Sequence, residues 1–208
     1  MSLKNEHSIS SCNAAEATQR LLQEVCGGKM PDATICRRLL EQGADPNVRG
    51  GPANTCLLAR ASYLGCLDVV NVLLEHGADP NERHEKKPPE NMALHLAISW
   101  GRANIVHALL DGGADIDMQD GGGYTPLMSA LISTSREKNG GLVNMLLDRG
   151  ANTAVLGPAR ETALDIAVRW KMPPDIIQAI ENAPLMQGIK TADRQGTPHR
   201  RKILKPSI

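Results

Sequence analysis

Gly43-Ala44-Asp45-Pro46-Asn47 returns as Gly77-Ala78-Asp79-Pro80-Asn81, then as Gly113-Ala114-Asp115-Ile116-Asp117, and a fourth time as Gly150-Ala151-Asn152-Thr153. The glycines stand 34 (77 − 43), 36 (113 − 77) and 37 (150 − 113) residues apart. A period of this length marks an architecture in which each repeat is one supersecondary unit. Apolar residues lie eight, seven, four and three positions before each glycine, the spacing of one helical face. They are Ile35, Cys36, Leu39 and Leu40; Val69, Val70, Leu73 and Leu74; Ile105, Val106, Leu109 and Leu110; and Leu142, Val143, Leu146 and Leu147. Glycine suits the left-handed residue that closes a helix, and Pro46 and Pro80 forbid its continuation.

A first helix precedes each of these. Its start is clearest at Thr125-Pro126-Leu127, where threonine can cap the free amides and proline is tolerated in the first turn. Met92-Ala93-Leu94-His95-Leu96-Ala97 and Thr162-Ala163-Leu164-Asp165-Ile166-Ala167 are related stretches, and Cys56-Leu57-Leu58-Ala59-Arg60-Ala61 is a degenerate one. Gly65 and Gly101 mark the tight turn between the two helices, and Asp120-Gly121-Gly122-Gly123 supplies turn-forming residues for the hairpin that joins one unit to the next.

The period, the T-P-L-H-x-A type motif and the terminal G-A-D-P-N resemble the ankyrin-repeat family. The resemblance covers residues 14–185 and implies an all-α repeat solenoid. Its units, a helix-turn-helix plus a hairpin loop, divide as 14–47, 48–81, 82–117, 118–153 and 154–185 and stack into a curved array. The first unit lacks the threonine motif and has Glu16 to Val25 as its first helix, while the last replaces the closing glycine with Ala183. Such irregular ends are expected of capping repeats. Residues 1–13 and the tail 186–208 are expected to lack fixed structure.

Two insertions break the spacing. The hairpin from Asn81 to Met92 is two residues longer than that from Asn47 to Cys56, and it carries the charged run Glu82-Arg83-His84-Glu85-Lys86-Lys87-Pro88-Pro89-Glu90. In the fourth unit, Ser135 to Gly140 is expected to lengthen the turn between the helices. Insertions in repeat proteins map to loops, often on the binding face.

The chain of 208 residues has no phenylalanine, and its aromatics are Tyr63, Trp100, Tyr124 and Trp170. The ankyrin resemblance implies binding through the concave side, made of hairpin tips and the exposed part of the first helices. Counted from the threonine slot, positions eight and nine hold Tyr63 and Leu64, Ser99 and Trp100, and Arg169 and Trp170, while Tyr124 stands in the hairpin just before Thr125. Every aromatic therefore falls where the family makes contacts, and aromatics are the side chains most enriched in interface hot spots.

Other chemistry finds little footing. Cys26 and Cys36 are ten residues apart, as are Cys56 and Cys66, which is not the spacing of structural zinc. His95 occupies the motif's histidine slot, whose family role is hydrogen bonding to hairpin backbone. No nucleophile elbow, phosphate-binding loop or zinc-protease motif is present. No catalytic residue, metal or cofactor is expected. The odd set Cys12, Cys26, Cys36, Cys56 and Cys66 reads as reduced thiols inside a cell. No run of about 18 apolar residues is present to span a membrane.

The tail carries Lys190, Arg194, Arg200, Arg201, Lys202 and Lys205 against Asp193, leaving 17 basic and 22 acidic residues before it. That acidic body makes direct nucleic-acid binding an unexpected function. Asn47 and Asn81 stand where ankyrin proteins can be hydroxylated, although a role in the turn suffices to explain them.

The expected function is non-catalytic binding of one or more partner proteins, as adaptor, scaffold or inhibitor, by a monomer in the cytoplasm. Tyr63, Leu64, Lys87, Glu90, Trp100, Tyr124, Arg169 and Trp170 are the candidate contacts. The alternative is a nuclear regulator of transcription acting through a protein partner, with the basic tail as its import signal.

Overall fold

The computed structural model describes residues 6–51, 54–82, 92–133 and 136–183. Helices follow one another in pairs: α1 (Glu6–Cys26) with α2 (Ala33–Glu41), α3 (Leu57–Leu64) with α4 (Leu67–Glu75), α5 (Ala93–Ser99) with α6 (Ala103–Asp111), and α7 (Pro126–Ile132) with α8 (Arg136–Asp148). The fifth pair is α9 (Ala163–Arg169) and a final helix, α10, over 174–183. The strands β1 (Arg49–Gly50) and β2 (Thr55–Cys56) form an antiparallel hairpin between the first two pairs, with Arg49 opposite Cys56. The inner helices α1, α3, α5, α7 and α9 pack each on the next, and among the outer ones α2 packs on α4 and α4 on α6. This is the all-α repeat array that the periodicity predicts.

The recurring glycines close the outer helices by one mechanism. Gly43, Gly77, Gly113 and Gly150 all have φ between +84° and +93°. Each donates its N–H to the leucine three residues back, and the following alanine donates to the leucine five back, as in Gly77 to Leu74 (3.0 Å) and Ala78 to Leu73 (3.0 Å). This is the Schellman closure. It explains why Gly-Ala and Leu-Leu recur together: leucines face the core while their carbonyls receive the turn.

Beyond the closure, each corner is tied to its neighbour. Asn47 accepts at Oδ1 from the Asp79 N–H (2.8 Å) and donates from Nδ2 to the Gly77 carbonyl (3.3 Å). Asn81 does the same to Asp115 (2.7 Å) and Gly113 (2.9 Å). Asp45, Asp79 and Asp115 each accept at Oδ1 from the backbone N–H two residues on, holding that bridging side chain in place. At the next joint Asp117 accepts from the Asn152 N–H (2.8 Å) but, when ionised, has no hydrogen for the Gly150 carbonyl.

Three of the inner helices, α3, α7 and α9, start on side-chain caps, whereas Met92 before α5 provides none. The threonine hydroxyl accepts from Met128 N–H in α7 (3.3 Å) and from Asp165 N–H in α9 (3.2 Å), where Asp165 reciprocates to complete a capping box. In the degenerate second unit the Cys56 sulfur takes the same place, accepting from Ala59 N–H at 3.4 Å. The inner helices close left-handed at Gly65, at Gly101 and, in the fifth unit, at Lys171, with φ +52°.

The position just before Tyr63 and its counterparts is packed in Ser62, Ile98 and Leu131, all 0% exposed, yet Val168 is 57% exposed. Conversely Ile35 is 37% exposed where Val69, Ile105 and Leu142 are at most 2% exposed. These two positions face the following and the preceding repeat respectively. Among the described residues, no sixth unit covers Val168 and none precedes Ile35.

Two expectations are corrected. Of the residues 1–13 expected to lack fixed structure, 6–13 belong to α1. No proline or glycine interrupts the chain from Glu6 to Cys26, and extending an existing helix is far cheaper than nucleating one. The extra residues of the fourth unit do not lengthen a turn: Arg136 to Gly140 are helical, and α8 has 13 residues where α2, α4 and α6 have nine. The charged run 83–90 and the tail 186–208 lie outside the described residues.

Replacing Asp117 with Asn restores the donor that Asn47 and Asn81 possess, and the gain expected in urea unfolding at neutral pH is about 0.5–1.5 kcal/mol. Burial raises the carboxyl of Asp117 above its ordinary value. Its contribution to stability is therefore fully present below the unfolded value and lost as the pH rises through the folded one. Asparagine does not titrate, so the advantage of Asp117→Asn should shrink in acid. Lys171→Gly relieves a left-handed lysine and should raise stability by about 1 kcal/mol, read as an upward shift of Tm.

Candidate protein-binding surface

Because α3, α5, α7 and α9 pack side by side, residues at their C-terminal ends line one strip of the stack. Trp100, Ser133 and Trp170 are the C-cap residues of α5, α7 and α9, one place beyond the helices themselves. Tyr63, in the last turn of α3, meets Trp100 edge to face, with ring centroids 5.1 Å apart and planes at 86°. Such pairs contribute roughly 0.5–1.5 kcal/mol beyond area burial. Even so, Tyr63 is 40% and Trp100 53% exposed, and Trp170 is 41% exposed.

The fourth unit places Ser133 in this strip, its Oγ donating to the Ser99 carbonyl at 3.5 Å. The strip thus reads as an aromatic pair, a small polar residue, and a further tryptophan. Arg169 is exposed and forms an ion pair with Glu161. Leu64 is half-buried.

Tyr124 differs from the other aromatics. It is half-buried and packs against the core. Its N–H donates to Asp120 Oδ1 (2.9 Å), and its carbonyl accepts from His95 Nε2 (3.0 Å). The imidazole therefore carries its proton on Nε2 and pins the hairpin of the fourth unit to the third. Tyr124 thereby belongs more to the hairpin joint than to the exposed strip. Lys87 and Glu90 lie outside the described residues.

Two cations beside the strip were not among the sequence candidates. Arg60 sits one turn before Tyr63, with Cζ 5.6 Å from the centre of its ring. Arg102 follows the turn after Trp100, and its guanidinium rests on Gly65: a Cβ there would lie 2.8 Å from Cζ. The i, i+3 spacing of Arg60 and Tyr63 was a signal available in the sequence; the Arg102 to Gly65 contact was not.

Four of the five thiols are described. Cys26, Cys36, Cys56 and Cys66 are free. Burial pushes Cys36 up to about 12 and Cys56 up to about 11, which keeps both protonated and unreactive. Among the described residues no three His, Cys, Asp or Glu side chains gather so as to hold a metal ion, and no helix is long and apolar enough to cross a membrane. The amides of Asn47 and Asn81 are both engaged in the corner bridges, which accounts for asparagine at those positions.

Comparison with known proteins agrees with this geometry. Residues 54–85 match the family model described as Ankyrin repeat, and residues 83–156 match the one described as Ankyrin repeats (3 copies). Over 79 residues the chain is 40% identical to the Homo sapiens Ankyrin repeat and KH domain-containing protein 1. That alignment takes in 37% of this chain and spans only 3% of the relative's length. Ankyrin repeats are generally protein–protein interaction modules and are typically non-catalytic. With its left-handed glycine corners, capped inner helices and matching repeats, this chain belongs to the ankyrin-repeat family.

Proposed function

We propose that the chain is a binding module that holds a partner protein on the strip formed by Tyr63, Trp100 and Trp170, with Arg169 and Leu64 beside it. The observation that carries this reading is the exposure of three of the chain's four aromatics on one line of the stack. The core is aliphatic and sulfur-containing, so these rings are spared from it and remain large, stiff contact surfaces with few rotors to order. The ends of three inner helices support them, and a site on rigid elements presents its side chains in a fixed pattern. Within this reading the protein acts as adaptor, scaffold or inhibitor according to what else its partner binds.

The test is a Trp100→Ala, Trp170→Ala double variant that retains the helical circular dichroism of the parent. A partner recovered by affinity purification and then purified should bind the variant about thirtyfold or more weakly, since aromatic hot spots carry about 2 kcal/mol or more. Unchanged affinity would exclude this strip as the binding surface.

A further inference from the structure

Arg60 and Arg102 flank the Tyr63–Trp100 pair. Three other arginines along the stack meet acids of an adjacent unit or hairpin: Arg37 with Glu75 (2.7 Å), Arg49 with Glu82 (2.6 Å) and Arg149 with Asp111 (2.6 Å). Among the described residues neither Arg60 nor Arg102 has such a partner. Arg60 is half-buried over the Tyr63 ring, whereas Arg102 is exposed on Gly65. The first turn of α6, which Arg102 precedes, has no side-chain cap, so its free amides add potential of the same sign. Residues 1–185 hold 17 basic against 22 acidic side chains, and this doublet is a local exception within an acidic body.

On the reading that Tyr63 and Trp100 form a protein-binding surface, we propose that the segment seated there is an acidic peptide. An aromatic or aliphatic side chain of that peptide packs on the exposed face of the ring pair. Aspartate or glutamate carboxylates on either side of it reach Arg60 and Arg102, whose planar guanidinium groups suit bidentate pairing. A single-stranded nucleic acid also stacks on aromatics and arginines. Its charge continues along the whole strand, however, and would meet the acidic remainder of the body. A short peptide places its negative charge only where the two cations are.

The experiment selects displayed random dodecapeptides on the immobilised full-length chain, then measures synthetic winners by fluorescence anisotropy against variants that melt like the parent. The winners should carry Trp, Phe or Leu next to Asp or Glu, and their affinity should fall with added salt. It should fall about tenfold in Arg60→Gln, Arg102→Gln and at least as much in Tyr63→Ala, Trp100→Ala. Arg102→Glu, at an exposed position, gives the same readout should the substitution at Arg60 loosen α3. Winners without acidic residues that still depend on Tyr63 and Trp100 would overturn this inference and leave the docking surface standing. Winners insensitive to both double variants, or no enrichment at all, would overturn the surface as well. An oligo-dT 20-mer that binds more tightly than the best peptide and displaces it would replace the peptide with nucleic acid.

Discussion

Each outer helix must stop, and the chain must cross to the next repeat, without leaving backbone polar groups unmet. The corner answers both demands at once. The glycine and the alanine after it return their N–H groups to the leucine carbonyls, and the side chain four residues after that glycine reaches across to the next corner. In Asn47 and Asn81 a single amide serves as donor and acceptor together. Those paired bonds fix the offset between neighbouring repeats, and the packing of every inner helix on the next follows from that offset.

The exposed strip is a consequence of this regularity. Because α3 packs on α5, the ends of neighbouring inner helices stand side by side, so Tyr63 at position eight of one unit can touch Trp100 at position nine of the next, although they are 37 residues apart (100 − 63). The core needs no rings to fill it, because its buried set is made of Leu, Ile, Val, Ala, Met and Cys. An aromatic placed at the end of an inner helix is then free to remain partly in solvent. The glycine turn at Gly65 serves the same surface by leaving the space in which Arg102 lies.

The fold was legible because its signals are local. The Gly-Ala closure, the leucines three and four residues before its glycine and the threonine caps all act over a few neighbouring residues. Where a local signal and the tertiary context disagree, the context prevails. Gly140 and Gly141 suggest a turn, yet they lie inside α8. A glycine costs a helix about 1 kcal/mol, which the packing of Leu142, Val143 and Leu146 offsets. Cys56 shows the reverse case, since its poor match to threonine hides a sulfur that still caps Ala59. Asp117 is a third kind: its likeness to Asn81 in sequence conceals the loss of a donor that matters only across the joint.

The sequence by itself determined the repeat, the helix ends, the order of the units and the positions from which side chains could reach a partner. Each of those depends on interactions spanning at most a few residues, so a single chain displays them. Only the tertiary structure decided which of these positions stays exposed to solvent. It left Tyr63, Trp100 and Trp170 largely in solvent, drew Tyr124 into a hairpin joint, put Ser133 between the tryptophans and set two arginines beside the rings. Those outcomes depend on the register of one repeat against the next, and contacts between residues more than thirty positions apart leave no mark on the local pattern of either.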